Sequence, residues 1–337
     1  IYPLGVPICH VIRFGQLIAA VTSDAYVIFF SPDQPYNIIM NYQLTDRLSP
    51  SQIPIAHVLP SINHRYIVCC GYSKNCVVIE NAESNFTENR IELPNFIVLG
   101  IAQGESDNIF AFLIMKPNDE RSVVFIDITS KQYNQLQEVS VPQDSYKIIS
   151  SNDGIILFTK TGITLLGTDK SIPSPQISTY FYATPQYVIY QTIDGNMYGL
   201  NTSNFKQNQL GNIPLTSLFY LLSHNLLLSV SEYSNCSFFT LPPIDDQISI
   251  EFQFEHLPKQ ELHLTPRVIA ATFNGRSLIV ASGNGAESSI TRIMNTIQHN
   301  RQFLTKIDLD QNTEKLRLFS TISDSLILSS PTKSTLV

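Results

Sequence analysis

Seven histidines, five cysteines and a scatter of carboxylates are the residues with which this chain could do chemistry. The histidines are His10, His57, His64, His224, His256, His263 and His299. None forms HxxxH or HExxH, the spacings that bring imidazoles to one metal ion. His256 and His263 flank Pro258 in a polar connector and read as solvent-facing loop residues. The cysteines are Cys9, Cys69, Cys70, Cys76 and Cys236, an odd count with no CxxC pair, so a zinc site is not indicated. Cys69 and Cys76 could face each other across a hairpin as one disulfide. The alternative is buried free thiols in a reducing compartment, where Cys behaves as a small hydrophobe. No GxSxG elbow offers a serine nucleophile. Asp245 and Asp246 are adjacent carboxylates, but they follow Pro242–Pro243 and read as a loop rather than a glycosidase pair. The run SGNGAESS (Ser282–Ser289) lacks the Lys of a phosphate loop and has strand-like flanks, so it reads as a hairpin loop. No catalytic, cofactor-binding or metal-ligating residue is assigned. Sequons at Asn85, Asn201 and Asn235 arise easily in an Asn- and Ser-rich chain and are expected to be inert.

Charge narrows the partners. Of 337 residues, 43% are hydrophobic and 15% charged, against about 25% charged in an average domain. Either a wide surface is covered by partners, or Asn and Ser have simply filled it. The net charge is −7, and basic residues such as Lys315 and Arg317 are scattered. Phosphate backbones need a basic face, so this segment is expected to bind neither RNA nor DNA directly. No Lys/Arg run suggests a nuclear-import signal. There is no apolar run of about 18 residues, so no transmembrane helix or other membrane contact is expected, and no signal peptide is visible. The chain starts at Ile1 and ends inside an apolar run, and is read as a piece of a longer protein.

The elements that would carry any site repeat along the chain. Each unit is a strand, a tight polar turn and a second strand. It occurs at Gln16–Phe30, Arg65–Glu80, Ile109–Ile128, Gly154–Thr168, Tyr187–Asn201, Leu226–Leu241 and Ser277–Met294, with a cut copy at Ser325–Val337. The flanks are rich in Val, Ile, Phe, Tyr and Thr, which suit a pleated, half-buried surface. The turns carry Gly, Asn, Asp or Ser. Turn centres recur every 33 to 52 residues or so, the span of one four-stranded propeller blade. Shorter apolar runs between hairpins, Ile53–Leu59 and Phe96–Ala102, would supply innermost strands. No stretch has helical periodicity. The expected fold is all-β, a β-propeller of about seven four-stranded blades. It is not a WD40 propeller, because the chain has no Trp and no GH…WD pair.

Two hairpins carry a resemblance. In Val280–Met294, VASGNGAESSITRIM, the residues Gly283, Gly285, Ser288, Ser289 and Arg292 resemble the first hairpin of the second propeller in the three-propeller scaffold family. That family comprises subunit 3 of splicing factor 3b, the large subunit of the UV-damaged-DNA-binding complex and the large subunit of the cleavage and polyadenylation specificity factor. In Leu227–Leu241, Ser231, Glu232 and Asn235 resemble the S-E-F-G-N pattern of the splicing member, with Ser234 where Gly is expected. The resemblance places residues 1–259 in most of a first propeller and residues 260–337 at the start of a second. It implies a non-catalytic nuclear scaffold of the spliceosome in pre-mRNA splicing, without cofactors, clamping a HEAT-repeat subunit and a small helical subunit. A cullin-RING ubiquitin-ligase adaptor or a polyadenylation scaffold is the alternative. The eight signature residues are expected to be structural or partner-facing.

Overall fold

The computed structural model describes residues 2–3, 8–22, 26–31, 38–43, 55–71, 75–82, 85–184, 187–212, 218–223, 226–230, 235–240, 255–256, 260–261, 268–273, 278–283 and 288–293. Among them the protein is all-β, with no helix. The strands gather into seven antiparallel sheets, nearly all four-stranded.

Two compact units form, Ile1–Tyr42 with Leu210–Val337, and Gln43–Gln209. The second holds four sheets, each a meander in chain order. They are β6 (Ile55–Pro60), β7 (Tyr66–Gly71), β8 (Asn75–Ala82) and β9 (Asn85–Glu92); β10 (Ile97–Gln103), β11 (Ile109–Met115), β12 (Arg121–Asp127) and β13 (Gln135–Val141); β14 (Ser145–Ser151), β15 (Gly154–Thr159), β16 (Gly162–Leu165) and β17 (Ser171–Pro173); and β18 (Ile177–Thr184), β19 (Tyr187–Thr192), β20 (Asn196–Asn201) and β21 (Lys206–Asn212). First strands lie side by side here, β10 beside both β6 and β14.

The first unit repeats the plan. One sheet is β2 (Ile8–Phe14), β3 (Leu17–Thr22), β4 (Tyr26–Phe30) and β5 (Ile38–Gln43). Another is β22 (Leu218–Ser223), β23 (Leu226–Val230) and β24 (Asn235–Thr240), whose outer edge is shared by two short strands, β25 (Glu255–His256) and β26 (Gln260–Glu261). The last is β27 (Val268–Phe273), β28 (Leu278–Gly283) and β29 (Ser288–Ile293), completed by β1 (Tyr2–Pro3) from the other end of the chain. Tyr2 pairs with Ile290 and Pro3 with Ser289. The boundary expected at 259/260 falls between β25 and β26, both of which pair with β24. His256, expected in a loop, is instead paired with Phe239.

Burial explains why the middle strands were readable. β7 and β19 are buried at every residue, and β11 at all but its ends, because neighbouring sheets cover both faces. Such strands read as unbroken apolar runs. The outer strands β5 and β13 face water; β13 is largely polar, while β5 exposes Ile38 and Ile39. The register also corrects the expected cysteine geometry. Cys70 stands opposite Cys76, while Cys69 stands opposite Val77. Side chains alternate faces along a strand, so Cys69 and Cys70 point to opposite sides of the sheet. All three thiols are free and buried, and burial pushes their pKa values up, that of Cys76 to about 12.

A second repeat is structural. In six of the seven first strands among the described residues, the register shifts by one residue near the strand start. The shifts lie at Ile8/His10, Ile55/His57, Val98/Gly100, Ser145/Lys147, Ile177/Thr179 and Val268/Ala270. A bulge strengthens local twist and re-aims the side chain that follows it.

Candidate functional site

The signature hairpins fall partly on described strands. Asn235 opens β24 and pairs with Glu261. Gly283 ends β28 and pairs with Ser288, while Ser289 pairs with both Ser282 and Pro3. Arg292 pairs with Ile279. The backbone places these positions in strand pairing. Ser231, Glu232 and Gly285 lie outside the described residues.

Within Gln43–Gln209, the post-bulge positions of β6, β10 and β14 hold His57, Gly100 and Lys147. Gly100 has no side chain to stand between the other two. His57 Nε2 donates to the Val98 carbonyl at 3.1 Å, so that nitrogen carries the proton. Burial lowers the His57 pKa, the Val98 bond opposes this, and the Lys147 charge lowers it further. Lys147 has no hydrogen-bond or ion-pair partner among the described residues. Its Nζ sits 4.1 Å from the centroid of the Tyr180 ring, a cation–π contact, and burial lowers its pKa to about 8. The space between the β14–β17 and β18–β21 sheets is filled by aromatics. Tyr190 stacks on Tyr198 at 5.4 Å, and Phe158 lies 6.4 Å from Tyr190 and 6.5 Å from Tyr180.

The space between the β10–β13 and β14–β17 sheets is different. Its core is small and aliphatic, with Ala102 paired to Ala111 and both buried. At one end a cavity of about 660 Å³ opens, in the size range of ligand sites. Three turns build it. The β10–β11 turn brings Gln103, Gly104 and Glu105, the β14–β15 turn brings Ser151–Gly154, and the β6–β7 turn brings Ile62. Phe125, Val139, Ile155 and Leu166 give it an apolar side.

Local chemistry holds these turns in place. Gly104 N–H donates to the Ile109 carbonyl at 2.8 Å, and a Cβ on Gly104 would lie 2.8 Å from Ile109 atoms, so only glycine fits. Gly154 has φ +128°, a conformation that L side chains rarely adopt. Asp153 Oδ2 accepts from the Thr202 hydroxyl at 2.9 Å and from the Ser203 hydroxyl at 3.2 Å, which ties its turn to the neighbouring sheet. Asp107 accepts from Asn63 N–H at 3.1 Å and holds the turn bearing Ile62, which is 72% exposed.

Gln103 is 3% exposed. Its Nε2 donates to the carbonyls of Ser106 and Ile109, at 2.5 and 3.0 Å. Turning the amide over would set its oxygen against those two carbonyls, so the orientation is forced. Gln103 Oε1 then has no donor among the described residues. Two carboxylates, Glu105 and Asp153, line the same cavity, and no Lys, Arg or His is among its described lining residues. Reading the sequence missed these residues. Gln103 and Glu105 share one turn while Asp153 belongs to the turn of the next sheet, and only the fold brings them together. Among the described residues no group of three His, Cys, Asp or Glu is placed to hold a metal ion, and no helix is long and apolar enough to cross a membrane. No protein-family model matches this chain, and no curated protein sequence matches it.

Proposed function

We propose that this chain is a β-propeller-type scaffold that holds other proteins and has no catalytic chemistry of its own. The pairing of β1 with β29 is the observation that carries this reading. A strand from the chain start completes the last sheet, the device by which a circular array of sheets leaves no free edge. Further support comes from the repeated four-stranded meanders, the adjacent first strands within each unit and the recurring bulge. On this reading residues 268–293 close the first propeller, and any second one starts after β29 rather than at 260.

A rigid array of this kind presents loops at fixed positions, and loops are where binding residues concentrate. The resemblance of the two signature hairpins supplies the context: a nuclear splicing-factor scaffold, in contact with a HEAT-repeat and a small helical subunit. Affinity purification of the full-length protein tests this. Splicing-factor subunits should co-purify. Recovery of cullin-ligase or polyadenylation components instead would transfer the chain to another branch of the family, and recovery of no stable protein partner would sink the scaffold reading.

A further inference from the structure

We propose that Cys70 and Cys76 are a latent disulfide: under a low-molecular-weight disulfide oxidant the two thiols join across the β7–β8 hairpin and lock it, while Cys69 stays reduced.

The register of the hairpin selects this pair. Asn81 N–H donates to the Arg65 carbonyl at 2.8 Å, and Arg65 stands opposite Asn81, one step beyond the Tyr66–Glu80 pair. Arg65 and Asn81 are therefore a hydrogen-bonded pair. Bonded and non-bonded pairs alternate along an antiparallel ladder, so Cys69–Val77 is bonded and Cys70–Cys76 is not. In a non-bonded pair the Cα atoms lie about 4.5 Å apart and the Cβ atoms approach most closely. A disulfide needs Cα atoms roughly 4.4–6.8 Å apart and Cβ atoms roughly 3.5–4.5 Å apart. The strand pairing thus brings Cys70 and Cys76 to bonding separation with the backbone where it stands. Both side chains also leave the sheet on one face, where they share a core cluster with Tyr66, Val68 and Val78. Cys69 points to the other face. A Cys69–Cys70 link is disfavoured too, because neighbouring Cα atoms are only about 3.8 Å apart.

Burial protects the pair in the folded protein. All three thiols are wholly buried with raised pKa values, so thiolate is scarce. Cys70–Cys76 is the last pair of the β7–β8 ladder, so opening the hairpin from its turn exposes it first. One thiolate then attacks oxidised glutathione. Its S–S bond breaks, one glutathione leaves, and a mixed disulfide remains. The second thiolate attacks the protein sulfur of that mixed disulfide and expels the other glutathione. Two protein thiols are oxidised, one glutathione disulfide is reduced, and the two protons pass to the departing glutathiones. When the hairpin recloses, the link fits the folded register and restricts the unfolded chain.

The whole chain is treated with oxidised glutathione in two arms, one folded throughout and one refolded from urea, and remaining thiols are capped with iodoacetamide. Trypsin cuts after Lys74, which separates Cys69 and Cys70 from Cys76, so a link across the hairpin joins two peptides in the mass spectrum. The joined peptides should form in both arms, more slowly in the folded one, with the cap on Cys69. The oxidised chain should melt roughly 3–7 °C above the reduced one, and dithiothreitol should remove the gain. Cys69→Ala should keep the link and the gain, and Cys70→Ala should lose both. Mapping of the parent and of Cys69→Ala decides the question even where Cys70→Ala does not fold. A dominant link through Cys9, Cys69 or Cys236 would overturn the proposal, as would no link after refolding, when every thiol has been accessible. A link confined to the refolded arm would overturn it as a device of the folded protein. Equal rates in the two arms would overturn the protection by burial, and a link that lowers the melting temperature would overturn the fit to the folded register.

Discussion

Two inter-sheet spaces in the Gln43–Gln209 unit are built on the same meander and end differently. Between the β14–β17 and β18–β21 sheets, Phe158, Tyr190 and neighbouring aromatics fill the volume, and Tyr190 Oη donates to Gln207 at 2.6 Å. Between the β10–β13 and β14–β17 sheets, the core is aliphatic, with small residues such as Ala102 and Ala111, and a cavity lined by turn residues opens at one end. Backbone repetition sets the spacing of the sheets. Side-chain size then decides whether a space becomes core or cavity.

Truncating the filled space should have the largest effect. Phe158 is wholly buried and touches two other rings. Phe158→Ala removes its transfer energy and leaves a hole, a loss of about 3–5 kcal/mol. Urea unfolding followed by tyrosine fluorescence and circular dichroism measures it. Ile155→Val, on the wall of the open space, should cost only about 0.5–1.5 kcal/mol. A Phe158→Ala loss below that of Ile155→Val would show that the aromatic space collapses around the deletion, and the contrast between the two spaces would fail.

Rigidity of the cavity rim comes next. Gly104→Ala places a Cβ against the Ile109 side chain and backbone carbonyl, so the β10–β11 turn must move. A loss of about 1–3 kcal/mol is expected, as for overpacking elsewhere. A Gly104→Ala variant of unchanged stability would mean that the turn is softer than its hydrogen bonds imply.

How much of this was visible before the fold follows from burial. Every described hairpin read from the sequence, from Gln16–Phe30 to Ser277–Met294, corresponds to the second and third strands of a sheet, such as β3 with β4 and β28 with β29. Where their burial is described, as in β3, β4, β11 and β19, these strands are buried along nearly their whole length and are correspondingly apolar. Ile53–Leu59 and Phe96–Ala102 likewise correspond to the first strands β6 and β10. Outer strands such as β13, QLQEVSV, carry almost no signal, because water accepts any polar residue there. The bulges leave no trace, since the bulged residues range from Leu99 to Tyr146. The cavity was invisible for another reason. Gln103, Glu105 and Asp153 share no spacing and no motif, and their meaning lies in what the turns bring together. The Ser325–Val337 hairpin lies outside the described residues.

Lys147 gives the smallest effect and the sharpest test of the filled space. Its ammonium has the Tyr180 ring for company and no carboxylate among the described residues. The folded-state pKa is about 8, below the ordinary value of 10.5. Below about pH 8 the amine is charged in both states, and the folded state bears the full penalty of holding that charge in a poorly solvated place. Between about 8 and 10.5 the unfolded chain binds more protons than the folded one, so this penalty fades as pH rises. Lys147→Met keeps the aliphatic stem and removes the charge. It should stabilise the protein at pH 7.5 by on the order of 1 kcal/mol, well under the full shift because the amine keeps some water and the ring contact offsets part of the penalty. The advantage should shrink steadily from pH 8 to 10. Buried thiols and tyrosines act in the opposite direction over part of that range. Their folded pKa values are raised, so they lose stability as the unfolded groups ionise. They are common to both proteins, and the difference between variant and parent isolates Lys147. Urea midpoints at pH 7.5, 8.5 and 9.5 give that difference directly. A constant advantage would mean that packing, not charge, sets the effect. A loss of stability at every pH would mean that the cation–π contact outweighs the burial, and that this space is held together by the Lys147 ammonium as much as by its aromatic rings.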